Sequence, residues 1–117
     1  MAVIYQPCNQ FGGQEPNSGV VLRDQIWNYY KNNNFPMTEN QIWLEKADVI
    51  GENASPLFQW LQKKEKKWGW FSWGGEISWN FEKFIVVNGV VRKRHGSNTD
   101  PVNLDGDIKK YIKELKN

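Results

Sequence analysis

The residues best suited to chemistry crowd between positions 7 and 16. Pro7-Cys8-Asn9-Gln10-Phe11-Gly12-Gly13-Gln14-Glu15-Pro16 combines three carboxamides, two adjacent glycines and the only cysteine of the 117-residue chain. Asn9, Gln10 and Gln14 offer donors and acceptors without charge, which suits the cradling of an anion or a reacting oxygen. Taken alone, a polar glycine-containing loop is a turn, and Gln14 in it a carboxamide that caps backbone groups. Cys8 is open to two readings, a nucleophile or a small, mostly buried thiol. His95 has no second base or ligand near it in sequence and reads as a surface or packing residue. Cys8 and His95 are the only soft ligands, so no zinc cluster is expected, and one cysteine forms no internal disulfide.

The elements that must position these groups alternate. Residues 2–6 read as a buried strand that Pro7 terminates. Residues 17–19 form a loop, and 22–31 carry Leu22, Ile26, Tyr29 and Tyr30 at helical spacing. Asn32-Asn33-Asn34 stops that helix, and Phe35-Pro36 begins an extended segment. A short strand is predicted over 46–50, ending at Gly51. Ser55-Pro56 is an N-cap and first-turn pair for a helix with Leu57, Phe58 and Leu61 inward. Residues 63–78 read as a long loop rich in tryptophan and glycine. Strands over 84–87 and 90–94 are joined by Asn88-Gly89, the favoured pair for a type I′ turn. Asp100-Pro101 opens a last helix with Leu104, Ile108, Tyr111, Ile112 and Leu115 on one face. The order β, α, β, α, β-hairpin, α predicts an α/β layer fold in one domain over residues 1–117.

Composition narrows the classes of function. Apolar residues at 39% and aromatics at 15% predict a folded chain. A net charge of +2 is too small to argue for a nucleic-acid or membrane-surface partner. Lys63-Lys64-Glu65-Lys66-Lys67, with Trp68, Trp70 and Trp73 beyond it, could stack single-stranded bases. Without other support it reads as a solvated helix end and a tryptophan-anchored loop. No eighteen-residue apolar run predicts a membrane span, and no signal sequence is visible, so the cytoplasm is the expected compartment.

Three motifs in order then carry a resemblance. The 7–16 loop resembles the signature loop of the glutathione peroxidases. Gly51-Glu52-Asn53-Ala54-Ser55-Pro56-Leu57-Phe58-Gln59-Trp60-Leu61 resembles that family's segment before and within its third helix. Trp79-Asn80-Phe81-Glu82-Lys83-Phe84-Ile85-Val86 is similar to its Trp-Asn-Phe loop entering a strand. Together they cover residues 2–116 and imply a thioredoxin-like sheet with flanking helices, against whose pattern Asn40-Gln41-Ile42-Trp43-Leu44 reads as an insertion before the 46–50 strand.

The resemblance implies chemistry as well. Such enzymes reduce hydrogen peroxide and organic hydroperoxides, in the response to oxidative stress, by attack of a selenolate or thiolate on the terminal peroxide oxygen. That anion needs hydrogen-bond donors. Carried over by motif, the catalytic donors are Gln14, Trp79 and Asn80; without the motif, Trp79 would read as a core residue. Cys8 falls where the family has a cysteine that is not the peroxidatic one. The peroxidatic selenocysteine or cysteine belongs to a strand-to-helix turn farther upstream than the thirteen residues preceding Gln14. The expectation is therefore an incomplete gene product, the C-terminal two-thirds of the family fold, lacking its first strand–helix unit and inactive by itself. A selenocysteine UGA codon read as stop would produce such a start. No resolving cysteine is present, Tyr30 standing nearest its position, so direct reduction by glutathione or another thiol is expected over the two-cysteine route, with a thioredoxin-type reductant as the other candidate. No other cofactor or metal is expected. The loop that tetrameric members use for assembly is not evident between Leu61 and Trp79, which favours a monomer. The alternative is a non-catalytic thioredoxin-like protein that binds a partner or senses peroxide through Cys8.

Overall fold

A computed structural model describes residues 1–34, 38–63, 65–67, 71–73 and 75–117, with backbone course alone for 65–67 and 71–73. The chain divides into two compact units, Met1–Ser55 and Pro56–Asn117.

In the first unit, β1 (Val3–Tyr5) and β2 (Gln41–Trp43) pair in parallel, Tyr5 opposite Trp43, and α1 (Gly19–Asn32) lies between them in sequence. Tyr5 and Trp43 stack with ring centroids 4.3 Å apart. Burial, with Tyr30 nearby, pushes the Tyr5 phenol pKa up. The sequence expectation of a buried first strand is not met, since Ile4 is 54% exposed. A sheet of two short strands leaves both faces open. The predicted strand over 46–50 is likewise corrected: β2 is the segment read as an insertion. Three-residue β1 exhausts its ladder on Gln41, Ile42 and Trp43, and the backbone of 47–50 finds other partners.

Helix α1 starts earlier than the apolar spacing suggests. Ser18 is its N-cap, its hydroxyl accepting from Val21 N at 3.3 Å, so Gly19 belongs to the helix and not to the preceding loop. Gly19 is buried against the 44–46 backbone: a Cβ there would lie 3.0 Å from both Leu44 O and Lys46 N. Leu22, Ile26 and Tyr30 are half-buried, whereas Tyr29, expected on the same face, is 65% exposed. Positions 22, 26 and 30 advance about 40° each around the helix, so by the last turn the buried stripe has drifted toward Tyr30 and away from Tyr29. Asn33 caps the C-terminus as expected. The extended segment predicted from Phe35-Pro36 lies outside the described residues.

The second unit begins with α2 (Pro56–Leu61), its Pro56 at the first position as the sequence predicts. The expected loop over 63–78 instead contains an antiparallel pair, β3 (Glu65–Lys67) with β4 (Phe71–Trp73). Aromatic residues favour strands over loops when a partner is within reach. The rest of the basic and tryptophan-rich run, Lys64, Trp68 and Trp70, lies outside the described residues.

Strands β5 (Lys83–Val87) and β6 (Val90–His95) form the predicted hairpin. Asn88 at φ 50° and Gly89 at φ 75° occupy the left-handed region that a type I′ turn requires. The register shifts between Ile85 and Val86, which face Lys93 and Val91, leaving Arg92 as the bulged residue. Asp100 caps the following helix through Val102 N, as expected from Asp100-Pro101. Its first turn is 3₁₀ (Pro101–Leu104), however, and α3 proper runs Asp105–Lys116.

Helix α3 is docked on β6 by Tyr111, Asp107 and Glu114. The Arg92 guanidinium sits 4.7 Å over the Tyr111 ring and bonds Glu114 at 3.1 Å, while the Tyr111 hydroxyl donates to Arg92 O. Asp107 Oδ2 receives Lys93 Nζ at 2.9 Å and His95 Nε2 at 3.3 Å. His95 thus gains a partner twelve residues away that no local pattern announces. Among the described residues, Leu61, Ile77, Leu104 and Tyr111 are the buried apolar residues of this unit, and Phe11, Val49 and Ala54 those of the first. No helix among the described residues is long and apolar enough to cross a membrane.

Candidate functional site

Each expected site residue sits on a segment without regular secondary structure, held by side chains rather than by a ladder. In the first unit the chain leaves β1, buries Pro7 and Phe11, and turns at Gly12 and Gly13 with φ of 71° and 61°. Two consecutive left-handed residues are what an adjacent glycine pair supplies cheaply. Asn9 Oδ1 accepts from Glu15 N at 2.8 Å and closes the loop across this turn. Lys46 Nζ donates to the Glu15 and Pro16 carbonyls at 3.3 and 3.0 Å and fixes its exit. Gln6 Nε2 donates to Glu45 O at 2.6 Å, and Ala47 N to Pro7 O at 3.1 Å, which fix its entry.

Gln10 is the central tie. Its Oε1 accepts from Val49 N at 2.8 Å and Ile50 N at 3.0 Å, and its Nε2 donates to Ile50 O at 3.0 Å. Of the three carboxamides, therefore, Asn9 and Gln10 serve the architecture of the loop. Gln14 stands beyond the glycine turn, exposed to solvent. Cys8 is half-buried, its thiol 3.5 Å from Gln10 Oε1 and accepting from Gln10 N at 3.3 Å. The sulfur is thus engaged by the residue that ties the loop down.

In the second unit, Trp79 and Asn80 occupy the segment between β4 and β5. Trp79 is 46% exposed and Asn80 half-buried. Phe81, next in line, takes φ 61° while 77% exposed. A bulky residue in the left-handed region is strained and persists only where its surroundings over-determine it. Those surroundings are concrete. Gln62 O accepts from Gly75 N at 3.0 Å, and Gln62 Oε1 accepts from Ile77 N at 2.8 Å. Arg94 donates from Nη1 to Gly75 O at 2.7 Å and pairs through Nε with Glu82. Lys83 Nζ bonds the carbonyls of Gly96 and Ser97. Gln6, Lys46, Gln62, Glu82 and Arg94 were not singled out from sequence, because each acts on residues distant in the chain.

The family model for glutathione peroxidase matches residues 1–62, which include the whole glycine-turn loop and its anchors. The chain belongs to the glutathione peroxidase family. It is 39% identical over 96% of its length to "Probable glutathione peroxidase 8" of Arabidopsis thaliana, covering 61% of that protein. It is 39% identical over 96% of its length to "Probable phospholipid hydroperoxide glutathione peroxidase" of Nicotiana sylvestris, covering 60%. A third relative, "Glutathione peroxidase 1" of Caenorhabditis elegans, is 39% identical over 97% of this chain, which covers 64% of it. The chain therefore spans about three fifths of the length of the curated relatives it matches. The alternation of helices and strands agrees with the thioredoxin-like α/β fold of glutathione peroxidases.

Proposed function

We propose that this glutathione peroxidase family member contributes Gln14, Trp79 and Asn80 as the hydrogen-bond donors of a peroxide-reducing site. The observation that carries the reading is the glutathione peroxidase family match over residues 1–62, within which the Gly12-Gly13 turn sets Gln14 at an exposed position of the signature loop. Asn9 and Gln10 hold the backbone of that loop. In this reading a selenolate or thiolate attacks the terminal peroxide oxygen, the O–O bond breaks, and water or an alcohol departs. The Gln14 and Asn80 amides and the Trp79 indole N–H stabilise the attacking anion and orient the peroxide. Glutathione or another thiol then returns the oxidised chalcogen to its reduced state in two steps, released as disulfide. Cys8, tied to Gln10, is not the attacking group.

The test is thiol-coupled NADPH oxidation with hydrogen peroxide or an organic hydroperoxide, applied to the full-length gene product. Gln14→Ala, Trp79→Phe and Asn80→Ala are each expected to lower turnover by about 10- to 100-fold, the scale of losing one donor to a developing anion. Cys8→Ser is expected to retain activity; loss of all activity there overturns the assignment. A monomer located in the cytoplasm is proposed alongside, which gel filtration and cell fractionation address.

A further inference from the structure

We propose that Arg94 and Gln62 are positioning residues for Trp79 and Asn80, a role that rests on reading those two as peroxide-site donors. Among the described residues between β4 and β5 there is no ladder to hold the backbone, and its course depends on the Gln62 carbonyl and on side chains. Arg94 bridges the two ends of this segment. Its Nη1 bonds Gly75 O at 2.7 Å before Trp79, and its Nε pairs with Glu82 after Asn80. The guanidinium lies 5.1 Å from the Phe84 ring centroid, and the Phe84 ring meets Phe58 edge-on at 6.2 Å. Arg94 and Glu82 side chains are only 15% and 9% exposed, so the pair works in a setting poorly screened by water.

Gln62 holds the entry from the end of α2. Its carbonyl takes Gly75 N and its Oε1 takes Ile77 N, while Nε2 donates to Phe58 O at 2.8 Å and fixes the carboxamide orientation. The segment is thus pinned at 75, 77 and 82, with Trp79, Asn80 and the strained Phe81 between the pins. Arginine suits this task and lysine does not. A planar fork presents donors in two fixed directions, whereas an ammonium is a single point of charge. Neither Arg94 nor Gln62 needs to touch the peroxide; a displacement of about 1 Å at the donors is enough to cost turnover.

The experiment uses the full-length gene product labelled with 5-fluorotryptophan, the Trp79 fluorine signal being assigned through Trp79→Phe. Arg94→Lys keeps a charge opposite Glu82 but loses the fork, and Gln62→Ala removes the side-chain bond to Ile77 N while leaving the backbone bond to Gly75 N and the ion pair in place. Each is expected to shift or broaden the Trp79 signal while the other tryptophan signals stay in place. Each is also expected to lower peroxidase turnover about tenfold with the KM for thiol unchanged. A Trp79 signal unmoved in both variants overturns the proposal, as does a moved signal with unchanged turnover. Turnover that is absent from the unsubstituted protein, or indifferent to Trp79→Phe and Asn80→Ala, overturns the donor reading itself and with it the catalytic half of the proposal. The fluorine spectra still separate that failure from failure of the hold.

Discussion

Gln10 grips Ile50 by both of its backbone groups: Oε1 accepts from the Ile50 N–H and Nε2 donates to the Ile50 carbonyl, each at 3.0 Å. A carboxamide has the donor–acceptor pattern of a peptide group, so this side chain supplies what a neighbouring strand would otherwise give. The signature loop and the 47–50 segment are joined by that substitution, together with the Ala47–Pro7 bond.

Replacing Gln10 by alanine leaves the Val49 and Ile50 N–H groups without that acceptor, at a place where Val49 is 3% exposed. The expected loss is about 1–3 kcal/mol, the cost of stranding buried backbone donors. Gln10→Glu keeps both acceptor bonds and loses the donor to Ile50 O, so it should fall between. Urea midpoints at constant m-value check the ranking.

Two helical glycines should respond to alanine with opposite sign. Gly19→Ala places a methyl 3.0 Å from backbone atoms of Leu44 and Lys46, which cannot step aside as a flexible side chain would. A loss of about 1–3 kcal/mol is expected despite the better helix propensity. Gly106, in the first turn of α3, has open space around it, so alanine there should add up to about 1 kcal/mol. Thermal midpoints of the two single variants measure both.

Acid should loosen the docking of α3. The Lys93 ammonium, with His95 behind it, holds the Asp107 carboxyl below its usual range. A depressed carboxylate contributes stability that is complete above its unfolded pKa and is lost as pH falls through the folded one. Stability should therefore decline below about pH 4, where an unperturbed aspartate begins to protonate. Asp107→Asn should flatten that part of the profile, as read by thermal midpoint against pH. An unchanged acid limb would show that Asp107 does not contribute.

Phe81 makes a prediction about strain. At φ 61° with its ring largely in solvent, it has little burial to lose and a backbone that glycine would adopt without penalty. Phe81→Gly should leave stability unchanged or raise it by up to about 1 kcal/mol in urea unfolding. A clear loss of stability would overturn the assignment of strain to Phe81.

Features with local causes were legible in the residues themselves. Asn88-Gly89 determines its hairpin because both positions need positive φ, and Asp100-Pro101 opens its helix because the cap and the ring act within one turn. The order of the three motifs was enough to identify the family, and residues 1–62 alone satisfy its model. What failed were inferences requiring a partner. Residues 46–50 have the composition of a strand, yet their hydrogen bonds go to Pro7 and to the side chain of Gln10, about forty positions earlier. His95 looked solitary because Asp107 reaches it only once α3 folds back on β6. The sequence by itself therefore determined which groups are present and where the chain turns. Only tertiary structure decided that Asn9 and Gln10 hold the loop, and that Gln62 and Arg94 pin the Trp79-Asn80 segment. The physical reason is that a hydrogen bond between distant side chains and backbone leaves no periodic trace in the chain that makes it.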